Sequence, residues 1–186
     1  MTDPATECVL IAYATTDGHT RRICERLKQV MESRGRQVTV ALLSETGALD
    51  LPSFDRVVIG ASIRYGHHQP IVAEFIARHQ TLLESRPSAF FSVNIVARKP
   101  NKNTPETNPY CRKFLQSIAW RPRLTAVFAG KLDYPSYGFV DRQMIRLIML
   151  MTKGPTDPTA VVEFTDWAKV EAFGRDVCAL PKPGQP

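Results

Sequence analysis

The feature that most limits what this chain can fold into is its regular exchange of short apolar runs for stretches of helical period. Cys8–Ala14 is a continuous apolar run rich in strand formers, the pattern of a strand buried on both faces. A turn-like cluster follows, Thr15-Thr16-Asp17-Gly18-His19-Thr20. Ile23, Leu27, Val30 and Met31 then recur at helical spacing, and Gly35 closes that segment. Residues 38–43, 56–63, 88–96 and 125–129 read as further strands. Residues 70–83, a short piece near 106–118 and residues 166–180 read as helices, the last with Thr165 and Asp166 at its start. This alternation predicts an α/β fold: a parallel sheet covered by helices on both faces.

Size and composition agree with a folded domain. A chain of 186 residues suits one domain with a full core. An apolar share of 44% and a charged share of 23% exclude extended disorder. We expect a single domain over 1–186, with its core at about 8–180 and flexible tails at 1–6 and 181–186. Cys8–Ala14 is too short and lacks the basic flank of a signal peptide. The longest later apolar run, at 147–151, is far below the roughly 20 residues a membrane span needs. A cytoplasmic protein is expected, and one that can still lie on a membrane. Cys8, Cys24, Cys111 and Cys178 show no C-x-x-C spacing, so free thiols are expected.

Charge is unevenly placed. Residues 98–153 carry eleven basic and three acidic groups, a net +8 within a chain of net +6. That field suits an anionic partner such as acidic lipid, nucleic acid or a carboxylated substrate; it also suits a solvated basic face. No nucleic-acid motif accompanies it, and nucleic acid is not expected as a partner.

Residues 15–20 have a definite physical use. A strand, a tight turn and a helix start can surround a phosphate with backbone N–H groups. Gly18 permits the tight path, and Thr15, Thr16 and Thr20 add hydroxyl donors. No Lys or Arg lies within the loop, which favours a terminal monophosphate over a triphosphate. The plainer reading is a turn at Asp17-Gly18 with Thr20 as a cap. His67 and His68 are adjacent, but no further ligands lie at workable spacing, so no metal is expected. Hydrolase triads and paired catalytic carboxylates are likewise not evident.

At this point the chain resembles the flavodoxin superfamily. Residues 15–20 are similar to its T-x-T-G-x-T loop for FMN phosphate, with Asp17 and His19 as departures. The resemblance implies five parallel strands in the order 2-1-3-4-5, with the flavin at their carboxyl ends. Longer segments are more specific: Val57-Val58-Ile59-Gly60-Ala61-Ser62-Ile63-Arg64-Tyr65-Gly66-His67, Ser92-Val93-Asn94, Val96-Ala97-Arg98-Lys99-Pro100, Trp120-Arg121-Pro122 and Thr165-Asp166-Trp167. These are similar to the FMN-dependent protoporphyrinogen IX dehydrogenases of proteobacterial haem synthesis, over about residues 8–180.

That resemblance implies oxidation of protoporphyrinogen IX to protoporphyrin IX. Six electrons leave the substrate in three two-electron steps and pass to a membrane quinone, menaquinone or ubiquinone. It implies FMN held by Thr15, Thr16, Asp17, Gly18, His19 and Thr20 from the first loop. Ser62, Ile63, Arg64, Tyr65 and Gly66 from the second, and Asn94, Val96 and Ala97 from the third, complete the set. Tyr65 is the aromatic expected to stack on the flavin ring. Arg64, Arg98 and Lys99 are candidates for the substrate carboxylates; structural ion pairs are the competing reading. No catalytic acid or base is named. Other FMN proteins, a flavodoxin-type electron carrier or an NAD(P)H:quinone reductase, remain the alternative.

Two inserts, at about 98–122 and 134–154, distinguish the chain from a small flavodoxin. The second contains an expected helix at about 140–151, rich in Leu, Ile and Met and edged by Arg142, Arg146 and Lys153. Such a helix can lie on an anionic membrane surface, which implies a peripheral site on the cytoplasmic face of the inner membrane. It can equally cover the sheet as core. Association into a homo-oligomer is compatible with everything read so far.

Overall fold

The computed structural model describes residues 6–182. The outer parts of the expected tails, 1–5 and 183–186, lie outside the described residues. The strands are β1 (Cys8–Ala14), β2 (Gln37–Leu42), β3 (Arg56–Arg64), β4 (His67–His68), β5 (Ser88–Val93), β6 (Leu124–Phe128), β7 (Lys131–Asp133) and β8 (Val161–Glu163). The helices are α1 (His19–Glu32), α2 (Pro70–Arg78), α3 (Gln80–Glu84), α4 (Pro109–Ser117), α5 (Phe139–Met151) and α6 (Trp167–Ala179).

The main sheet runs β2-β1-β3-β5-β6, with every neighbouring pair parallel. This is the expected 2-1-3-4-5 order once the two-residue β4 is counted. Alternation along β1 divides the core. Leu10, Ala12 and Ala14 join Ile59, Phe90, Val72, Phe75 and Trp120 on one face. Val9, Ile11 and Tyr13 join Val58, Phe91, Leu27, Val170 and Phe173 on the other. Parallel strands covered on both faces must be apolar on both, which is why these runs are continuous rather than alternating. At Gly60 the Phe91 ring packs against the space a Cβ would fill, so glycine is required there by close approach.

Several boundaries differ from the expected ones. The helix expected at 70–83 breaks at His79 (φ −114°), whose ring packs on Phe75 at 4.6 Å. After the break, Leu83 is buried with the sheet cluster. The strand expected at 88–96 ends at Val93. There the Asn94 side chain accepts from the Ala97 N–H and starts a 3-10 turn, Ile95–Arg98. The helix expected from 106 begins at Pro109, with Asn108 accepting from the Cys111 N–H. Asparagine at the cap and proline in the first turn are the ordinary signals for that start.

Three strands were not foreseen. β4 returns antiparallel to β3, with Arg64 opposite His67. Tyr65 (φ 50°) and Gly66 (φ 82°) form the two-residue tip, a pairing of positive φ values that fits a hairpin's twist. β7 and β8 pair antiparallel and bracket the second insert. A separate small cluster of Leu132, Tyr134, Tyr137 and Met149 lies here. The four free cysteines are as expected. No helix among the described residues is long and apolar enough to cross a membrane.

Residues 181 and 182, placed in a tail on composition, are tied down. The Pro181 carbonyl accepts from Arg123, and Lys182 bridges Glu7 and Asp55 at 3.2 Å each. Beneath them Arg56, 4% exposed, pairs with Glu7 at 2.9 Å and donates to the Val177 and Leu180 carbonyls. Burial alone would raise the Glu7 pKa, but hydrogen bonds from Arg56 and Lys182 hold it below the ordinary 4.5. A lowered folded-state pKa contributes stability above the unfolded value, lost as pH falls through the folded one. Glu7→Gln is therefore expected to cost about 2–3 kcal/mol near neutral pH, because a buried guanidinium loses its counter-charge. The deficit should vanish in acid, where the native carboxyl is also protonated. Urea unfolding of both proteins at neutral and acid pH measures it; an equal deficit at both would exclude the charge as its source.

Candidate functional site

The carboxyl ends of β1, β3 and β5 each lead into a loop, and the three loops meet around one cavity of about 520 Å³. That volume suits a small-molecule or cofactor site. The walls come from Thr15, Asp17, His19 and Thr20; from Ser62, Ile63, Arg64, Tyr65 and Gly66; and from Val93, Asn94, Ile95 and Val96. Tyr110, Gly130, Lys131, Leu132, Tyr137, Met144, Ile145 and Ile148 complete them. A second cavity, between the segment after β2 and α2, contains none of the expected site residues.

One end of the cavity has an uncapped helix start and unpartnered polar atoms, features able to receive an anion. Gly18, at φ 77°, turns the chain into α1, and no side chain caps that helix. Its first turn carries no acidic residue, and Arg21 and Arg22 stand where cations are unfavourable beside a helix N-terminus. Thr15 Oγ1 is used within the loop, accepting from the Gly18 N–H at 3.0 Å. Thr20 Oγ1 is fully buried and has no partner among the described residues, and the same is true of Ser62 Oγ and His19 Nδ1. Buried hydroxyls without partners are uncommon; here Thr20 lies at the uncapped helix start and Ser62 elsewhere in the same cavity wall.

The other end is aromatic and apolar. The β3–β4 hairpin displays Tyr65 at its tip, 56% exposed. Its hydroxyl bonds to Asp141, whose carboxylate is kept below the ordinary value by that bond and by Arg64. Arg64 donates to both Asp17 oxygens at 2.9 Å and pairs with Asp141 as well. Arg64 thus ties the first loop to α5, and its charge is met by two carboxylates. The α5 helix supplies Met144, Ile145 and Ile148 as the remaining wall.

A buried polar chain braces the third loop. His68 Nε2 lies 3.0 Å from Ser92 Oγ. Asn94 donates to Ser92 Oγ, and Asn108 donates to Asn94 and to the Lys102 carbonyl. Burial, with His67 beside it, pushes His68 down to about 3, so it is neutral and structural, wedged beside Phe90 and Phe114. The described residues hold no cluster of His, Cys, Asp or Glu fit for a metal.

Most of the residues expected at the site line this cavity; five do not. Thr16 and Gly18 shape the first loop without lining the space. Ala97 is buried behind it. Lys99 lies outside. Arg98 is spent elsewhere: it donates to the Ile95 carbonyl and to the Thr152 carbonyl and hydroxyl, clasping the end of α5. Burial lowers its pKa, and both of its terminal nitrogens are engaged in these bonds. These contacts agree with the structural reading set beside the carboxylate grip above. Sequence reasoning missed Tyr110, Lys131, Tyr137, Met144, Ile145 and Ile148. The Tyr/Pro-rich start of the second insert was the one signal pointing toward Tyr137.

Comparison with known proteins gives a consistent picture. The flavodoxin domain family matches residues 10–159. Protoporphyrinogen IX dehydrogenase (quinone) of Escherichia coli K12 is 49% identical over 171 residues, covering 92% of this chain and 94% of that protein. The protein of the same name from Leishmania major is 42% identical over 182 residues, covering 97% of this chain and 78% of its own. Among solved structures, oxidised flavodoxin 1 of Bacillus cereus superposes with a TM-score of 0.54 at 13% identity, covering 94% of this chain and 99% of that one. At that identity the likeness concerns the fold alone.

Proposed function

The chain belongs to the flavodoxin family and, within it, to the protoporphyrinogen IX dehydrogenase (quinone) group; from that membership we propose that it is a single-domain, FMN-dependent enzyme that oxidises protoporphyrinogen IX to protoporphyrin IX. Electrons pass to a quinone of the membrane. The observation that carries the reading is the cavity at the strand ends, with an uncapped helix start and buried, unpartnered hydroxyls at one end and an aromatic, apolar mouth at the other.

The residues present fit FMN. The α1 N-terminus would hold the phosphate, with Thr20 Oγ1 and the loop amides as donors and the helix dipole adding a favourable field. Thr15 and Gly18 fix the loop that presents them. Ile63, Tyr65, Asn94 and Val96 border the space for the planar ring. When bound, FMN supplies a two-electron acceptor, so loss of six electrons from the porphyrinogen takes three turnovers.

The chain's own residues orient and shield. Met144, Ile145 and Ile148 on α5 exclude water from the ring side of the cavity. Arg64 holds Asp17 and Asp141 together, fixing α5 relative to the first loop. Two carboxylates already meet the Arg64 charge, so they compete with a substrate propionate for it. Lys131, beside the cavity and paired with Asp133 at 2.7 Å, is a further cation within the lining.

The exposed side of α5 supports a peripheral membrane site. Phe139, Val140, Leu147, Leu150 and Met151 are all more than half exposed, and acidic residues are scarce across 98–153. A quinone dissolved in a bilayer is reached most directly by a cavity whose wall helix lies against that bilayer. The protein would then sit on the cytoplasmic face of the membrane.

The reading is tested by anaerobic reconstitution with FMN and addition of protoporphyrinogen IX, with and without a menaquinone analogue. Quinone-dependent, enzyme-dependent porphyrin fluorescence is the expected result. Bound FMN with no such fluorescence would exclude the porphyrinogen assignment. Bleaching of the flavin by NADPH instead would favour a nucleotide-driven quinone reductase.

A further inference from the structure

We propose that His19 grips the FMN phosphate as an imidazolium: on docking of the phosphate, Nδ1 takes a proton from solvent and donates that N–H to a phosphate oxygen. The proposal rests on the FMN reading above and deepens it, by supplying the positive side chain that residues 15–20 otherwise lack.

The hydrogen bonds fix the tautomer. Thr165 Oγ1 donates its single proton to the Ala129 carbonyl at 2.8 Å. It can only accept from His19, so the 2.6 Å contact requires the imidazole proton on Nε2. Nδ1 is then a bare lone pair. His19 is 8% exposed, lines the cavity at the start of α1, and Nδ1 has no partner among the described residues. Thr20 Oγ1, fully buried and equally unpartnered, lies next in sequence. Thr20 Oγ1 can donate to a bound oxygen as it stands, and His19 Nδ1 can do so once protonated, so these two adjacent buried atoms at one uncapped helix start suit an anion whose charge favours that proton.

The charged groups around His19 leave room for one anion. Burial pulls its pKa below the ordinary 6.5, Glu163 on β8 opposes this, and Arg22 on α1 and Lys131 on β7 add to it. Arg22 and Glu163 neutralise each other at 2.9 Å, and Lys131 is paired with Asp133. From the first loop, Asp17 is drawn to Arg64. On the α6 side, Asp166 caps its helix by accepting from the Lys169 N–H, and Trp167 presents only its ring, 6.2 Å away. Without ligand, His19 is therefore neutral near pH 7. A phosphomonoester brings a charge of about −1.5 to −2, which reverses that balance.

The sign follows from linkage. The pKa is low in the free protein and raised in the complex, so binding consumes a proton. Affinity for FMN must fall as pH rises from the free-state value, below 6.5, to the bound-state value, and level off above it.

The test measures FMN dissociation constants by flavin fluorescence from pH about 6 to about 9, alongside imidazole nitrogen NMR of the wild-type protein. His19→Gln keeps a donor for Thr165 but offers nothing at Nδ1, and His19→Asn places an uncharged amide there. Wild-type affinity should fall several-fold across the window, the part of a one-unit pKa rise (about tenfold in all) that lies above pH about 6. His19→Gln should bind several-fold more weakly at the acid end and converge with wild type at the alkaline end. His19→Asn should recover part of that loss with no slope of its own. NMR should show both nitrogens protonated in the FMN complex, and riboflavin, which lacks the phosphate, should cause no such change. FMN binding with Nδ1 still unprotonated, or parallel profiles for wild type and His19→Gln, would overturn the His19 assignment and leave the FMN reading intact. Failure of the wild-type protein to bind FMN at any pH would overturn both.

Discussion

Thr20→Val is expected to weaken FMN binding by about 10- to 100-fold while leaving the ligand-free protein as stable as before, or slightly more so. The two effects have one cause. Thr20 is fully buried and its hydroxyl has no partner. An unsatisfied buried hydroxyl costs about 1–3 kcal/mol. Valine has nearly the same shape and no polar atom, so the ligand-free protein loses nothing by the exchange. A gain of about 1 kcal/mol would raise the melting temperature by about 2–4 °C in a domain of this size. With FMN bound the comparison reverses. A hydrogen bond to a charged phosphate is worth about 1.5–3 kcal/mol, and about 1.4 kcal/mol corresponds to tenfold in affinity. Thermal melts of the ligand-free protein and flavin titrations measure both halves. Riboflavin affinity should not change. Lower stability with unaltered FMN affinity would mean that the phosphate does not bind at α1.

Leu147→Glu with Leu150→Glu is expected to reduce binding to vesicles rich in phosphatidylglycerol by two orders of magnitude or more. Each fully buried leucine contributes about 1.5–3 kcal/mol, and each carboxylate adds repulsion from the anionic surface. Both positions face solvent, at 54% and 68% exposure, and neither lines the cavity. The melting temperature and FMN affinity should therefore stay at wild-type values. Vesicle sedimentation measures the partition, and added salt should weaken wild-type binding in part, by screening the basic residues. Unchanged partition of the doubly substituted protein would remove α5 from the membrane contact.

Much of the scaffold could be read from the chain because its signals are local. β1, α1 and the turn between them were legible, since a buried parallel strand is a continuous apolar run and a surface helix repeats every three to four residues. Gly18 in the left-handed region is equally local. The hairpin tip at Tyr65-Gly66 was not foreseen, because a two-residue strand has no periodicity to detect. The break at His79 was hidden for a related reason: the apolar positions of 70–83 keep helical spacing through it. Arg98 and Arg64 could be placed near the strand ends, but not paired. Their partners, Thr152 for one and Asp17 with Asp141 for the other, lie 47 to 77 residues away.

The parallel sheet and the loop at 15–20 were legible in the chain alone, because each follows from the spacing and type of neighbouring residues; the strand order was implied by the flavodoxin resemblance. Which cations are already neutralised, which hydroxyls are buried without partners, and which side of α5 faces solvent emerged from the folded arrangement alone. Those properties depend on burial and on partners far apart in the chain. A buried hydroxyl and an exposed one read identically in sequence, yet at Thr20 the difference separates a helix cap from the phosphate contact proposed above.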